Sequence, residues 1–313
     1  MKIGCISDTH RTVAEIESNS LFSRQLARFN PDSAKAVYRK IAIDIDRAYY
    51  SALRWIGSNV PWDLLIHLGD VTGGHRGKGF SNPSVQQLAK TVVNDLKSFS
   101  GEALFVLGEH ELRQYRHPNS FTGREINPND IGACKQVFGE LFWAREKQGV
   151  LLIGLCSPIA EYQGLNSEIL RIQTDQRTFL GDILSGHKDP WILFTHTLYT
   201  PTFFVKEITG HTKNLKTIVC GDVHDPRKGK ILKRMNQILG SFMFKAKNQT
   251  LTECLKKSIF CPSTAPLWWQ GYGLLTLKYG KQKTLKANEI ALNRPPDKEA
   301  PTSSLLRCLR WML

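Results

Sequence analysis

The chain has 313 residues with a formal net charge of +14 at pH 7, and 41% of its residues are hydrophobic and 22% are charged. This balance is typical of a globular protein with a sizeable core and excludes a largely disordered chain. No apolar stretch approaches the ~20 residues needed to span a bilayer, so we expect no membrane-spanning segment. The N-terminus enters a strand-like run without a basic or long apolar leader, and the seven scattered cysteines form no CxxC pair. We therefore predict a cytoplasmic protein without a secretory signal or disulfides.

Apolar runs alternate with amphipathic segments along the chain, which predicts a layered α/β domain. The predicted strands are 2–6, 64–70, 104–107, 150–156, 191–195 and 217–220, with a late hairpin at 272–278 and 283–287. The predicted helical segments are 13–60, with a helix start at Pro31-Asp32, then 84–99 and 167–184. A glycine-rich loop at 73–79 and a long loop through Pro118, Gly123 and Pro128 complete the pattern.

Five of the predicted strands end in residues that bind metals well. The five segments are Ser7-Asp8-Thr9-His10, Gly69-Asp70, Gly108-Glu109-His110-Glu111, Thr195-His196 and Gly221-Asp222-Val223-His224. Asp8 and His10 are two residues apart, so in an extended chain their side chains point to the same side and can reach one ion. Imidazole combined with carboxylate suits Mn, Fe, Zn or Ni. The pattern predicts one metal centre assembled from the whole chain, in which two ions about 3.5–4 Å apart could activate a water.

Taken in this order, the motifs resemble those of the calcineurin-like metallophosphoesterase superfamily. The likeness extends from Met1 to about Ala291. It implies a two-sheet β-sandwich flanked by helices, a four-layer arrangement with the site at the strand ends. It also implies a dinuclear metal centre that hydrolyses phosphomonoesters or phosphodiesters.

The resemblance assigns a role to each motif residue. The first metal would be held by Asp8, His10, Asp70 and His224, with Asp70 bridging to the second. The second site would be completed by Glu109, His196 and Asp222. His110 would lie beside the substrate as a general acid or phosphate clamp, with Glu111 orienting it. The segment Cys261–Pro266 resembles a structural turn that many members carry near the site.

Two positions depart from the family pattern, and both fall in the second metal site. The family usually has Asn where Glu109 stands and His where Asp222 stands. With Asp8 and Asp70, the ligand set then contains four carboxylates, which would neutralise two divalent ions. Oxygen ligands favour harder ions, so we expect Mn, with Mg, Fe or Zn as alternatives. Attraction for a phosphate would then come from outside the core, through Arg76, Lys78, Arg113 and Arg116 or the basic region below.

Charge is unevenly distributed, because residues 206–257 contain twelve Lys or Arg against four Asp or Glu. Such a surface favours a polyanion, so we predict a nuclease-like phosphodiesterase acting on nucleic acid. A phosphatase or small-nucleotide phosphodiesterase is the enzymatic alternative. Protein phosphatases of the family usually follow Gly-Asp with Asp-Arg-Gly, which Val71–Gly74 lacks. A non-catalytic module that binds polyanions or a partner is the third possibility.

The end of the chain changes character after the predicted domain at 1–291. Arg294-Pro295-Pro296-Asp297 is typical of a linker. Residues 304–313 mix leucines with Arg307, Arg310 and Trp311, as in a short basic amphipathic helix. We expect the 292–313 tail to bind a partner or a membrane face, or to dock on its own domain.

Overall fold

The computed structural model describes residues 1–11, 31–73, 79–115, 124–222, 254, 256–264, 272–280 and 284–292. The helices are α1 (Pro31–Ser58), α2 (Pro83–Ser100), α3 (Glu109–Leu112), α4 (Pro128–Phe138), α5 (Ser157–Ala160), α6 (Ser167–Ser185) and α7 (Val205–Ile208), the last preceded by a 3₁₀ turn at Thr200–Phe204. The strands are β1 (Lys2–Ile6), β2 (Leu64–His67), β3 (Ala103–Phe105), β4 (Arg113–Tyr115), β5 (Arg124–Ile126), β6 (Trp143–Lys147), β7 (Val150–Gly154), β8 (Trp191–Thr195), β9 (Leu215–Cys220), β10 (Ser258–Phe260), β11 (Tyr272–Tyr279) and β12 (Leu285–Leu292).

The first sheet has the strand order β12-β11-β1-β2-β3. β1, β2 and β3 are parallel, whereas β11 runs antiparallel to both β1 and β12. Ile6 pairs with His67, so β1 and β2 end at the same edge of the sheet. The pairing continues into the loops, where the backbone N–H groups of Asp8 and His10 donate to the carbonyls of Gly69 and Asp70, each at 3.0 Å. The first two predicted metal motifs therefore lie side by side.

The second sheet has the order β10-β9-β8-β7-β6, in which only β6 is antiparallel to its neighbour. Thr195 pairs with Cys220, so β8 and β9 also end together. This register brings His196 and Asp222 to one edge, because each follows its strand by one or two residues. The loops that follow the parallel strands of both sheets therefore lie in a common region.

Apolar side chains fill the space between the two sheets. Ile3, Ile66 and Leu104 of the first sheet pack with Leu152 and Phe194 of the second in one buried cluster. A second cluster packs α1, α2 and α4 on the outer face of the first sheet, and a third packs α6 and its neighbours on the second sheet. The predicted two-sheet sandwich flanked by helices is confirmed.

Several elements were not predicted from the sequence. The long loop was expected to run through Pro128, but helix α4 begins there, with the Asn127 side chain accepting a hydrogen bond from the Asn129 N–H at 3.0 Å. Proline is favoured at the first helical position, where its missing N–H costs nothing. Pro128 is therefore compatible with the start of this helix. Strands β4, β5, β6 and β10 were also missed, because three- to five-residue strands give little periodicity.

Several predictions fall partly or wholly outside the described residues. These are residues 13–30 of the predicted helical segment, most of the glycine-rich loop, residues 116–123 of the long loop and residues 223–253 of the basic region. The 293–313 tail also lies outside them, so the domain boundary at 291 stays a prediction. Among the helices that the structure describes, none is both long and apolar enough to cross a bilayer.

One side chain links the sheets by a hydrogen bond. Trp143 of β6 is buried, and its indole N–H donates to the carbonyl of Phe105 on β3 at 2.8 Å. Its partner in register is Gly154, where an added Cβ would lie 2.2 Å from the indole Cε2. The glycine therefore provides the space that the indole occupies.

We expect Trp143→Phe to lower the free energy of unfolding by about 2–4 kcal/mol, because it leaves the Phe105 carbonyl unpaired and a gap beside Gly154. Urea denaturation measures this change. Trp55→Phe, at a half-buried position on α1, is the control and should cost less. A loss below about 0.5 kcal/mol for Trp143→Phe would show that the inter-sheet bond is unimportant.

Candidate metal centre

Four of the predicted metal ligands have a left-handed backbone. Their φ angles are 51° at Asp8, 44° at His10, 53° at Asp70 and 50° at Asp222. Few residues other than glycine adopt this region, although Asp, Asn and His do so more readily than most. Such conformations cost free energy and cluster at functional sites. The strand ends are therefore held in turns that redirect ligand side chains.

The glycines of the motifs provide space for those ligands. A Cβ on Gly108 would lie 2.2 Å from Asp70 Oδ1, and a Cβ on Gly69 would lie 2.5 Å from His196 Nδ1. Gly69 also has a φ of 100°, which side-chain-bearing residues rarely adopt. The Gly-Asp and Gly-Glu-His motifs thus need glycine because their backbones touch the neighbouring ligands.

Asp70 occupies the middle of the site and is 1% exposed. Its Oδ2 lies 3.8 Å from His10 Nε2, 3.7 Å from His110 Nε2 and 3.3 Å from His196 Nε2. Its Oδ1 accepts the His110 backbone N–H at 3.0 Å. Burial raises the pKa of Asp70, but His196, His110 and His10 together hold it well below its usual value. The carboxylate is therefore ionised and surrounded by imidazole.

Among the residues that the structure describes, the donor atoms form two overlapping groups that could each hold an ion. One contains His10, Asp70 and His110, and the other contains Asp8, Asp70 and His196, with ligand atoms within 4.8 Å of one another in each. Asp70 belongs to both groups, whereas Asp8 and His10, which the resemblance places on one ion, belong to different groups. Carboxylate oxygens with imidazole nitrogens are a donor set that suits first-row divalent ions. The residues present therefore fit two metal ions that share Asp70.

His196 is oriented from two sides. Its Nδ1 lies 2.7 Å from the Leu68 carbonyl, so Nδ1 carries the proton and Nε2 faces Asp70. Its backbone N–H donates to the buried Ser157 hydroxyl oxygen at 2.9 Å. Burial lowers the pKa of His196, but Asp70 outweighs that effect and raises it well above its usual value. Metal binding at this nitrogen would therefore displace a proton.

The two residues that break the family pattern lie around this buried cluster. Glu109 is half-buried at the start of α3, and Asp222 is exposed. Desolvation raises the pKa of Asp222 well above its usual value, and the charges of Glu109, Asp8 and Asp70 add to the shift, although His196 opposes it. The structure thus places both carboxyl groups within electrostatic reach of the centre.

Glu111 lies beneath the metal motifs and joins three of their backbone groups. Its carboxylate accepts the N–H groups of Gly108 at 2.9 Å, Asp70 at 3.0 Å and Thr72 at 3.3 Å. Burial and the charge of Asp70 raise the pKa of Glu111 to about 7, although the Gly108 N–H opposes the shift. The residue was predicted to orient His110, and that role stays a prediction. Its observed contacts instead fix the Gly69-Asp70 and Gly108 loops to each other.

Several predicted site residues lie outside what the structure describes. These are His224, Arg76, Lys78 and Arg116, together with the side chain of Arg113 on β4. The predicted turn after β10 does lie beside the centre. The Ser263 hydroxyl donates to the Asp8 carbonyl at 3.3 Å, and the Thr264 N–H donates to the Ser7 carbonyl at 2.8 Å.

Sequence reasoning missed the supporting residues His67, Ser157 and Arg11. His67 is a single histidine in an apolar strand, a pattern more typical of an ordinary core residue. Ser157 follows a different strand from the histidine that it supports. Arg11 is buried and donates to Asp46 of α1 at 3.0 Å. The sequence signal for Arg11 was its position directly after the Asp8–His10 motif.

The match to a protein family agrees with the fold. The family model of the calcineurin-like phosphoesterases matches residues 1–226. The chain therefore belongs to the calcineurin-like phosphoesterase family. No curated protein matches the chain.

Among solved structures, phosphopantetheinyl hydrolase (PptH) from Mycobacterium tuberculosis is 16% identical, with 72% of this chain and 83% of that chain covered and a TM-score of 0.36. GAP50, the anchor in the inner membrane complex of Plasmodium, is 9% identical, with 95% and 90% covered and a TM-score of 0.45. The family membership rests on the sequence match.

We expect Glu111→Gln to destabilise the protein by about 1–3 kcal/mol at pH 8, where the native carboxylate is ionised. Glutamine would direct an amide N–H at backbone N–H donors that now have an acceptor. Chemical denaturation measures the loss. Glu289→Gln, exposed on β12, is the matched control and should stay within about 0.5 kcal/mol of the parent. Equal effects of the two variants would contradict the bracing role of Glu111.

Burial also lowers the pKa of His67 to about 3, against 6.5 for an unperturbed histidine. Below pH 6.5 His67 is protonated in the unfolded chain but stays neutral in the folded one. The free energy of unfolding therefore decreases as the pH is lowered. Between pH 6.5 and 5, the metal-free parent should lose about 1–2 kcal/mol more than His67→Gln does. His211→Gln, outside the site, should follow the parent. Parallel curves for the parent and His67→Gln would contradict a neutral buried His67.

Proposed function

We propose that this protein is a metal-dependent phosphodiesterase that cleaves nucleic acid with two divalent ions sharing Asp70. The observation that carries the proposal is the convergence of three histidines and Asp8 on the buried Asp70 carboxylate. Membership of the phosphoesterase family gives the reaction class, and the acidic ligands and basic charge of this chain support the finer assignment.

Asp8, His10, Asp70 and His196 would hold the ions, and bound ions would supply Lewis acidity towards a phosphate oxygen and towards water. The protein contributes the geometry. Asp8, Asp70 and His196 are buried and held by the strand ends, so little reorganisation would accompany binding. The backbone of His110 is fixed by Asp70, and its side chain is 24% exposed, which leaves it open to a substrate. We assign His110 to the substrate and not to an ion, so its imidazole could pass a proton to the leaving oxygen.

Manganese is the proposed metal. Glu109 and Asp222 add two carboxyl groups where the family usually has neutral ligands, and oxygen donors favour harder ions. The additional negative charge also lowers the attraction of the centre for a phosphate. Cations outside the centre would compensate, including Arg76, Lys78, Arg113 and Arg116. With His224, these residues complete the proposed site.

A nucleic acid is the proposed substrate because its repeated phosphates match the distribution of positive charge. Twelve Lys or Arg within 206–257 would contact several phosphates of one strand. A small phosphomonoester would use few of these cations. The polyanion assignment therefore depends on the basic region, and its direct signature is strong salt dependence of binding.

We expect the Mn²⁺-loaded protein to cleave bis-nitrophenyl phosphate and labelled DNA or RNA, and Asp70→Asn to lower both activities at least about 100-fold. Asparagine tolerates the left-handed backbone of Asp70, whereas alanine would add strain. Asp175→Asn, exposed on α6, is the matched control and should retain activity. Cleavage is measured by nitrophenol release and by gel.

Each other outcome selects a different function. Turnover of nitrophenyl phosphate alone would identify a phosphatase. Salt-sensitive nucleic-acid binding without cleavage by any metal form would identify a non-catalytic binding module. A tightly held zinc pair in the purified protein would contradict the assignment of manganese.

A further inference from the structure

We propose that His67 is a positioning residue of the metal centre, which aligns the Asp8–His10 loop with the Gly69-Asp70 loop through Thr9. The inference rests on the metal centre of the proposed function but not on its substrate. No metal is assigned to His67 itself. It would act through the loops that carry the ligands.

His67 and Thr9 lie between the two ligand motifs. His67 is the last residue of β2 and is fully buried, three residues before Asp70. Thr9 is also fully buried and separates Asp8 from His10. A contact between their side chains therefore joins the two motifs directly.

The hydrogen bonds fix the direction of each proton. The Gly69 N–H donates to His67 Nδ1 at 3.2 Å, so the ring proton is on Nε2. Nε2 lies 3.1 Å from Thr9 Oγ1, which in turn donates to the Val71 carbonyl at 2.7 Å. His67 therefore donates to Thr9, and every polar atom of the two side chains has a partner. This series of hydrogen bonds joins Thr9 of the first loop to Gly69 and Val71 of the second.

Two further observations support the assignment. The His67 ring stacks on Phe105 at a centroid distance of 6.0 Å and an interplanar angle of 16°, which holds its plane. Its lowered pKa keeps it neutral, although Asp70 opposes that shift, so Nδ1 stays an acceptor through the working pH range. A protonated ring would instead direct a second N–H at the Gly69 N–H.

Asp8, His10 and Asp70 occupy strained backbone conformations that persist only when their surroundings fix them. Removing the His67 side chain leaves the Gly69 N–H without its acceptor and Thr9 without its donor, so both loops can relax. Groups that orient metal ligands typically contribute 10–100-fold to metal affinity. His67 should therefore affect metal binding as well as stability.

The test compares Mn²⁺ affinity by titration calorimetry with thermal stability. His67→Phe keeps the ring and its stacking but removes both hydrogen bonds, and Thr9→Val removes the same link from the other end. Each should weaken Mn²⁺ binding about 10–100-fold. The double variant should be no weaker than the weaker single variant, because both act through one link. His67→Gln, which retains an N–H donor towards Thr9, should recover part of the affinity.

Thr217→Val is the matched control, because Thr217 is a buried threonine that donates to the Lys257 carbonyl at 2.7 Å near the other end of β9. It should lower the melting temperature and leave Mn²⁺ affinity unchanged. If His67→Phe and Thr9→Val behave like this control, with affinity within threefold of the parent, His67 is only structural and the proposal is wrong. If His67→Phe does not fold, Thr9→Val decides the matter.

The outcomes also separate this proposal from the proposed function. Affinity that depends on His67 and Thr9 in a protein that cleaves no nucleic acid would leave the positioning role and remove the nuclease assignment. A parent protein that binds no divalent ion would overturn both.

Discussion

The central constraint in this protein is the burial of the Asp70 carboxylate among three imidazoles. A buried carboxylate is costly unless charge or hydrogen bonds compensate it. Here His10, His110 and His196 face its Oδ2 within 3.8 Å, and each comes from a different loop. The rest of the site can be understood as the structure required to bring those loops together and hold them there.

The sandwich achieves this through register. Because β1, β2 and β3 run parallel and end at one edge, the first three motifs meet in the first sheet. β8 and β9 do the same in the second sheet. The Trp143 indole then links the two sheets at β3. Beneath the loops, Glu111, His67 and Ser157 bond to backbone or side-chain groups of the ligand motifs, so the strained ligand residues are fixed by neighbours that need not touch a substrate.

Much of this arrangement was predictable because local sequence determines it. Strand ends followed by Asp or His, in a fixed order, carried the resemblance to the family, and that resemblance implied the two-sheet fold with a site at the strand ends. Tertiary contacts were not predictable. The sequence places Glu111 beside His110, but its three N–H partners come from Gly108 and from the loop after β2. His67 looked like an ordinary core histidine because its partner, Thr9, lies 58 residues away in the chain. Helix α4 was missed because Pro128 was interpreted as a breaker when it occupies a first helical position.

Glu109 and Asp222 lie around the buried cluster, and they are the two positions where the chain departs from the pattern that the resemblance implies. In the proposed function, their carboxyl groups would make the centre more acidic, and cations outside the centre would then attract the substrate. The proposed hard ion and the proposed polyanionic substrate therefore depend on the same two residues.

The most direct measurement is anomalous diffraction from crystals grown with Mn²⁺. We expect two anomalous peaks about 3.5–4 Å apart, both within bonding distance of the Asp70 carboxylate, with Glu109 or Asp222 on one of them. A single ion, or two ions that do not share Asp70, would contradict the proposed metal centre.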